Sequence, residues 1–277
     1  MLATPGEGKA KLPRRLAPAA YVTYIPGMEQ RPDDMPLEWL ETANGRIAFR
    51  RRNGAQPTIL FLPGYASDME GAKATALDHF AAARGLGCVR FDYSGTGSSD
   101  GEFAAATLER WLQDSLDVVD SLTTGPVVLA GSSMGGWLAL LIALRRADRV
   151  RAILGIAAAP DFTDWGFGPA DRRRLQDEGR IAETNADGTP GRFFTRALWQ
   201  SGQEALLLTG EIAVQCPVRL VHGDRDDLVP LSVANSLLQR LRSADVQLTI
   251  VKGGGHRLSE PHEIAAILRL AADLVER

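Results

Sequence analysis

Short runs rich in β-branched and other apolar residues, at 46–51, 58–62, 88–93, 127–131, 151–156, 218–222 and 246–251, alternate with longer segments of a different period. In those longer segments, 70–84, 107–122, 134–147, 232–242 and 260–275, apolar residues recur three and four apart, the spacing of one helix face. Strands joined by connections long enough to hold a helix pair in parallel, and a parallel sheet must be covered on both faces. This order predicts an α/β fold with a mostly parallel, doubly wound sheet between two helical layers. No repeat of fixed period interrupts it.

Two stretches depart from the alternation. Residues up to about 36 are rich in Pro and Gly and carry no sustained period beyond a short apolar-polar run at 21–25. Residues 1–40 are therefore expected to form an N-terminal arm ahead of a single domain at 41–277. Between 157 and 218 the chain shows no clear strand, only broken helical pieces carrying Trp165, Phe167, Phe193, Phe194 and Trp199. A structureless loop of that length is improbable inside a compact domain, so a small helical cap is expected at about 161–215. Its aromatic residues either anchor it to the body or line a cleft beneath it.

Composition narrows the function classes. A chain of 277 residues can bury a large core within one domain. With 45% hydrophobic and 23% charged residues, and no apolar window as long as a bilayer requires, it reads as a soluble protein without a membrane span. A formal net charge of −3 lacks the basic excess of a phosphate-tracking protein, so no nucleic-acid partner is expected. Cys88 and Cys216, the only cysteines, each lie in an apolar run and are expected to be reduced. The four histidines and two cysteines show no ligand spacing, so no metal or organic cofactor is implied. Lys9, Lys11, Arg14 and Arg15 are not followed by the apolar core of a secretory signal. A cytoplasmic location is expected, with organelle targeting as the lesser alternative.

The chemistry concentrates at Gly131-Ser132-Ser133-Met134-Gly135, between the strand-like Val127-Val128-Leu129-Ala130 and a helical run that opens at Gly136-Trp137-Leu138. In a strand-to-helix turn this tight, the serine takes a strained backbone and its neighbours two away must lack side chains, which leaves its hydroxyl exposed above the sheet. Ser133 has both glycines and Ser132 does not, so Ser133 is the expected nucleophile. A serine hydroxyl needs a base to take its proton, and in this arrangement the base follows the last strand. His256, behind Val251 and Gly253-Gly254-Gly255, is placed there; His79 and His222 are read as packing residues, and His262 lies inside the final helix.

A carboxylate must orient that imidazole and balance its charge. The turn Gly223-Asp224-Arg225-Asp226-Asp227-Leu228-Val229-Pro230 offers three. Asp226, three residues past the glycine, is favoured; Asp227 is the alternative and Asp224 an exposed turn acid. Donors for the oxyanion are expected from the backbone N–H of Met134, directly after the nucleophile, and of Tyr65, in the Pro63-Gly64-Tyr65 turn after a strand. The glycine-rich run 91–101 lacks both G-x-G-x-x-G and a Lys-Ser or Lys-Thr pair, so it is read as a structural loop near the site.

Phe61-Leu62-Pro63-Gly64-Tyr65, residues 91–101, Gly131 to Trp137 and Cys216 to Pro230 together resemble the α/β-hydrolase fold. More narrowly, they resemble the mitochondrial depalmitoylase and acyl-glucuronide esterase group. That resemblance implies a serine hydrolase acting on acyl thioesters of cysteine and on activated oxygen esters, with a small-molecule or acylated-cysteine substrate. A serine at the turn excludes the carboxylate nucleophile of a dehalogenase or epoxide hydrolase. A serine peptidase, a C–C bond hydrolase and a cofactor-free haloperoxidase-like activity stay compatible with the same residues. A non-catalytic binding protein would not need all three polar groups, and labelling by a fluorophosphonate probe separates it from an enzyme.

Overall fold

The computed structural model describes residues 35–276. Most of the expected N-terminal arm, including Lys9, Lys11, Arg14 and Arg15, lies outside the described residues. The chain runs through β1 (Glu38–Thr42), β2 (Gly45–Arg52), β3 (Ala55–Leu62), α1 (Ala72–Ala83), β4 (Leu86–Phe91), α2 (Leu108–Leu122), β5 (Val127–Ser132), α3 (Met134–Arg145) and β6 (Val150–Ile156). An inserted stretch then holds α4 (Phe162–Trp165), α5 (Pro169–Asp177), β7 (Arg180–Thr184), β8 (Pro190–Thr195) and α6 (Arg196–Gln203). Last come β9 (Val218–Gly223), α7 (Leu231–Arg240), β10 (Val246–Val251) and α8 (Pro261–Val275).

Eight strands form one sheet in the order β1-β2-β4-β3-β5-β6-β9-β10. It is antiparallel through β1, β2 and β4 and parallel from β4 to β10. The central strands β4, β5 and β9 are buried along their whole length, as parallel strands covered on both faces must be. On one face Leu77 and Phe80 of α1 meet Ile264, Ile267 and Leu274 of α8. The other face takes Trp111, Leu112 and Leu116 of α2, which starts where the Thr107 side chain accepts from Arg110 N–H, and the apolar α3. Cys88 is buried and Cys216 half-buried, and both are free thiols.

Two elements correct the sequence reading. Strand β1 falls partly inside the expected arm and pairs with β2 around a turn that delivers Gly45 at φ 108°. Asn44-Gly45 is a hairpin signal that marks this turn. The insertion is also not wholly helical, since β7 and β8 form an antiparallel hairpin. Its five- and six-residue strands bury only Ile181 fully, so they carry no alternation to read. The residual signal is Asp187-Gly188 at the turn, where Gly188 takes φ 82° and Asn185 N–H donates to the Thr189 carbonyl at 2.8 Å.

Candidate active site

Strand β5 passes into α3 through one residue. That reversal puts Ser133 at φ 53° and ψ −117°, a conformation that costs a side-chain-bearing residue free energy. The flanking glycines follow from space. A Cβ on Gly131 would run into the Gly135 backbone, one on Gly135 into the Leu62 and Pro63 carbonyls, and one on Gly136 into Ala158. The turn is pinned by the Ser133 N–H to the Ile156 carbonyl at 2.9 Å and by Gly136 and Ala159 N–H groups on the Ser133 carbonyl at 2.9 and 3.0 Å.

Asp226 and His256 arrive on the loops after β9 and β10, neighbouring parallel strands whose ends lie side by side. The two loops are stitched together: Arg225 N–H donates to the Gly254 carbonyl at 2.9 Å, and Gly253 N–H donates to Asp224 Oδ1 at 2.5 Å. They approach so closely that a Cβ on Gly223 would overlap the Gly254 carbonyl, which accounts for glycine at the end of β9. Behind them, Lys73 on α1 donates to the Arg257 carbonyl, and burial pushes its ammonium down to about 8.

The result is a continuous hydrogen-bonded line. His256 Nε2 lies 3.1 Å from Ser133 Oγ, and His256 Nδ1 lies 2.8 Å from Asp226 Oδ2. An ionised carboxylate only accepts, so Nδ1 carries the proton and Nε2 turns a lone pair to the hydroxyl. The Asp226 side chain is 1% exposed, and its Oδ1 accepts from Leu228 and Val229 N–H at 3.0 and 2.8 Å. Burial works to raise its pKa, but the His256 hydrogen bond and those N–H groups outweigh burial and hold the carboxyl below its ordinary value. Asp226 therefore stays charged wherever an imidazolium needs a partner. Asp224 and Asp227 are exposed, as is His262; His79, expected to pack, is exposed on α1 as well.

His222 is buried as expected, but its contact with the acid's turn was not read from the sequence. Read as a packing residue, it is buried with Nε2 at 2.9 Å from the Val229 carbonyl and 3.4 Å from Asp226 Oδ2, against the acid's turn. The available signal was an imidazole at the end of a buried strand, four residues before the acid.

Met134 is the first residue of α3, and helix-opening N–H groups have no partner within the helix. The turn after β3 passes directly beside the serine: a Cβ on Gly64 would sit 3.4 Å from Ser133 Cβ. Tyr65 follows, and Tyr93 O–H holds the preceding Pro63 carbonyl at 3.1 Å. The glycine-rich run 91–101 winds around Asp92, which accepts from Met69 and Ser98 N–H at 2.8 Å each. Burial pushes the Asp92 carboxyl up to about 6 against those bonds, and a Cβ on Gly97 would strike it.

The aromatic residues of the insertion fall into three groups. Phe194 stacks on Tyr65 with ring centroids 4.9 Å apart, and Phe193 meets Phe103 at 6.0 Å, both anchoring the hairpin to the body. Phe167 and Trp199 pack within the insertion around Leu175 and Ile181. Trp165 instead joins Phe162 and Leu208 against Ala159, Val229 and Val233. Ala159 bonds the Ser133 carbonyl and Val229 bonds Asp226, so this apolar group lies beside the candidate nucleophile. Asp161 closes the base of the insertion: buried, it accepts from Leu207 and Leu208 N–H. Among the described residues, no group of three or more His, Cys, Asp or Glu could hold a metal ion, and no helix is long and apolar enough to cross a membrane.

A model of the Alpha/beta hydrolase family matches residues 59–267. The mitochondrial palmitoyl-protein thioesterase ABHD10 of Homo sapiens is 34% identical over 272 residues, covering 97% of this chain and 87% of its own. Alpha/beta hydrolase domain-containing protein 10 from mouse superposes with a TM-score of 0.81 at 34% identity, over 87% of this chain and 98% of that one. A putative hydrolase from Agrobacterium vitis S4 superposes with a TM-score of 0.80 at 37% identity, over 88% and 100%. The expected cytoplasmic location is overturned by the relatives named as mitochondrial, which point to that organelle instead. A missing apolar core argues only against a secretory leader, whereas mitochondrial targeting segments are basic and amphipathic.

Proposed function

The chain belongs to the alpha/beta hydrolase family, and from that premise we propose that it is a serine hydrolase of acyl thioesters and activated oxygen esters. The observation that carries this reading is the line Ser133 Oγ, His256, Asp226 at 3.1 and 2.8 Å, ending on a serine held at positive φ. Relatives named palmitoyl-protein thioesterase, matching 97% of the chain, support the thioester class.

In this reading Ser133 Oγ attacks the acyl carbonyl while His256 Nε2 takes its proton. Asp226 balances the imidazolium, and the N–H groups of Met134 and Tyr65 hold the oxyanion. His256 then returns the proton to the departing sulfur or oxygen. It next deprotonates a water that attacks the acyl-enzyme, releasing the acid and restoring Ser133. The group of Trp165, Phe162, Leu208, Val229 and Val233 offers an apolar wall for the acyl chain. Each methylene buried there is worth up to about 0.8 kcal/mol, roughly a fourfold gain per carbon until the wall is covered.

The test is kcat/KM for p-nitrophenyl esters of increasing acyl length, beside acyl-cysteine thioesters and peptide amides. Specificity should climb with chain length, and thioesters should outrun amides, whose amine leaves only after full protonation. A strict preference for acetyl removes the acyl wall, and faster amide cleavage favours a peptidase. Ser133→Ala should lower turnover by on the order of a million-fold. A variant retaining more than about a hundredth of wild-type turnover sinks the assignment, since loss of the nucleophile in a working triad costs far more.

A further inference from the structure

Tyr65 belongs to two places at once. Its backbone follows Gly64, which lies against Ser133, while its side chain leaves the turn and enters the seam between body and cap. There the Tyr65 hydroxyl donates to the Phe193 carbonyl on β8, 128 residues away. The ring stacks on Phe194 at 4.9 Å and is flanked by Phe103 at 5.3 Å, Trp111 at 5.9 Å and Phe162 at 6.1 Å. Burial holds the phenol well above its ordinary range, so the hydroxyl remains a donor throughout the working pH range. The turn on either side has little slack, with Pro63 bonded by Tyr93 O–H and Ala66 at φ 54°.

We propose that Tyr65 is a positioning residue that couples the seating of the cap hairpin to the placement of an oxyanion donor. The proposal rests on the reading above, in which the Tyr65 N–H is one of the two donors. Ring and N–H share one Cα, so a hairpin that lifts or slides carries the ring with it and turns the N–H away from the developing charge. Oxyanion stabilisation is steep in distance, and a misplacement of about 1 Å can cost roughly a hundredfold in rate. The cap then acts on the chemical step as well as on substrate access.

Tyr65→Phe deletes the hydroxyl and keeps both ring and backbone, and Phe194→Leu removes the stacking partner from the cap side. Each should lower kcat by about tenfold, less than the hundredfold or more expected when a donor is lost outright. KM for a p-nitrophenyl ester and the melting midpoint should stay near wild type. An alkylboronic acid, which forms a tetrahedral adduct on the serine, should bind about tenfold more weakly to each variant, matching the loss in kcat, while a fatty-acid carboxylate binds as before. The double variant should lose less than the product of the two single losses, since both act through one joint. Wild-type kcat and boronate affinity in Tyr65→Phe overturn the coupling, and so does a kcat loss matched by an equal loss of carboxylate binding. Should Tyr65→Phe fail to fold, wild-type boronate affinity in Phe194→Leu overturns it alone. If Ser133→Ala stays active, the hydrolase reading fails instead, so the two failures are distinguishable.

Discussion

The turn at Ser133 and the hairpin at 180–195 both rest on glycines, but for different reasons. At the turn, Gly131, Gly135 and Gly136 are required by neighbouring backbone and side chains that leave no room for a Cβ. At the hairpin, Gly188 serves only a positive φ and faces open space. The first need is local and leaves a dense pattern in six consecutive residues. The second is met by one residue, and the hairpin's place is set by Tyr65, Phe103 and Phe162, remote in sequence. Strain that only glycine relieves is visible in a sequence, whereas docking through aromatic faces is not.

The widest separation between the two regions should appear in the rate. Asp226 carries the proton-bearing face of His256, so Asp226→Asn should cost roughly four orders of magnitude in kcat by favouring the wrong tautomer. Asp227→Asn should change kcat by less than about threefold, because exposed substitutions away from partners are nearly neutral. Steady-state kinetics on one p-nitrophenyl ester decides it. If Asp227→Asn is the worse variant, the acid's role moves one residue along the turn.

A smaller contrast comes from the glycines themselves. Gly135→Ala drives a methyl into the backbone carbonyls of Leu62 and Pro63, which cannot yield without moving β3, and should cost about 3 kcal/mol or more. Gly188→Ala meets nothing and pays only for its left-handed φ, about 1 to 2 kcal/mol. Urea midpoints of the two variants check the ranking. Equal losses would mean that crowding does not distinguish the two turns.

Much of the body was legible for the same reason as the Ser133 turn. Fully buried β5 appears as an apolar run, β4 and β9 as apolar runs interrupted by Arg90 and by Arg219 and His222, and α2 and α8 as three-and-four periodicity. Every parallel strand of the sheet was anticipated. Strand β1 was lost because its exposed and half-buried residues resemble a polar tail, although Asn44-Gly45 marked its turn. The structure brings Ser133, His256 and Asp226 within hydrogen-bonding distance, since each lies a few residues or fewer past the end of a readable strand. His222 was passed over because its contact with Asp226 depends on the fold of the whole turn, and the anchoring duty of Phe193 and Phe194 depends on a surface contributed by residues 65–111.

The smallest effect concerns the two buried acids that serve these regions with opposite signs. Asp226 is held below the ordinary carboxylate value, so its contribution to stability is present above that value and lost as the pH falls through the lowered one. For Asp161, burial outweighs the Leu207 and Leu208 N–H bonds and raises the carboxyl. The folded state then binds a proton more tightly than the unfolded chain. Its contribution is complete below the ordinary carboxylate value of 3.8 and is lost as the pH rises through the raised value. Asp161→Asn removes this titration and sets an amide N–H against one of the backbone N–H groups at the base of the cap, at about 1 kcal/mol near neutral pH. Acidification favours the protonated wild type, so the stability gap between wild type and Asp161→Asn should widen as the pH is lowered from about 7.5 toward the carboxylate range near 4. For Asp226→Asn the gap should stay level over the same interval and narrow only below the ordinary carboxylate value of 3.8, as the pH falls through the lowered one. Urea midpoints at several pH values measure both, and a gap that stays level down to about 4 for Asp161→Asn as well would mean that the cap acid is held charged by its N–H donors, as the acid in the site is.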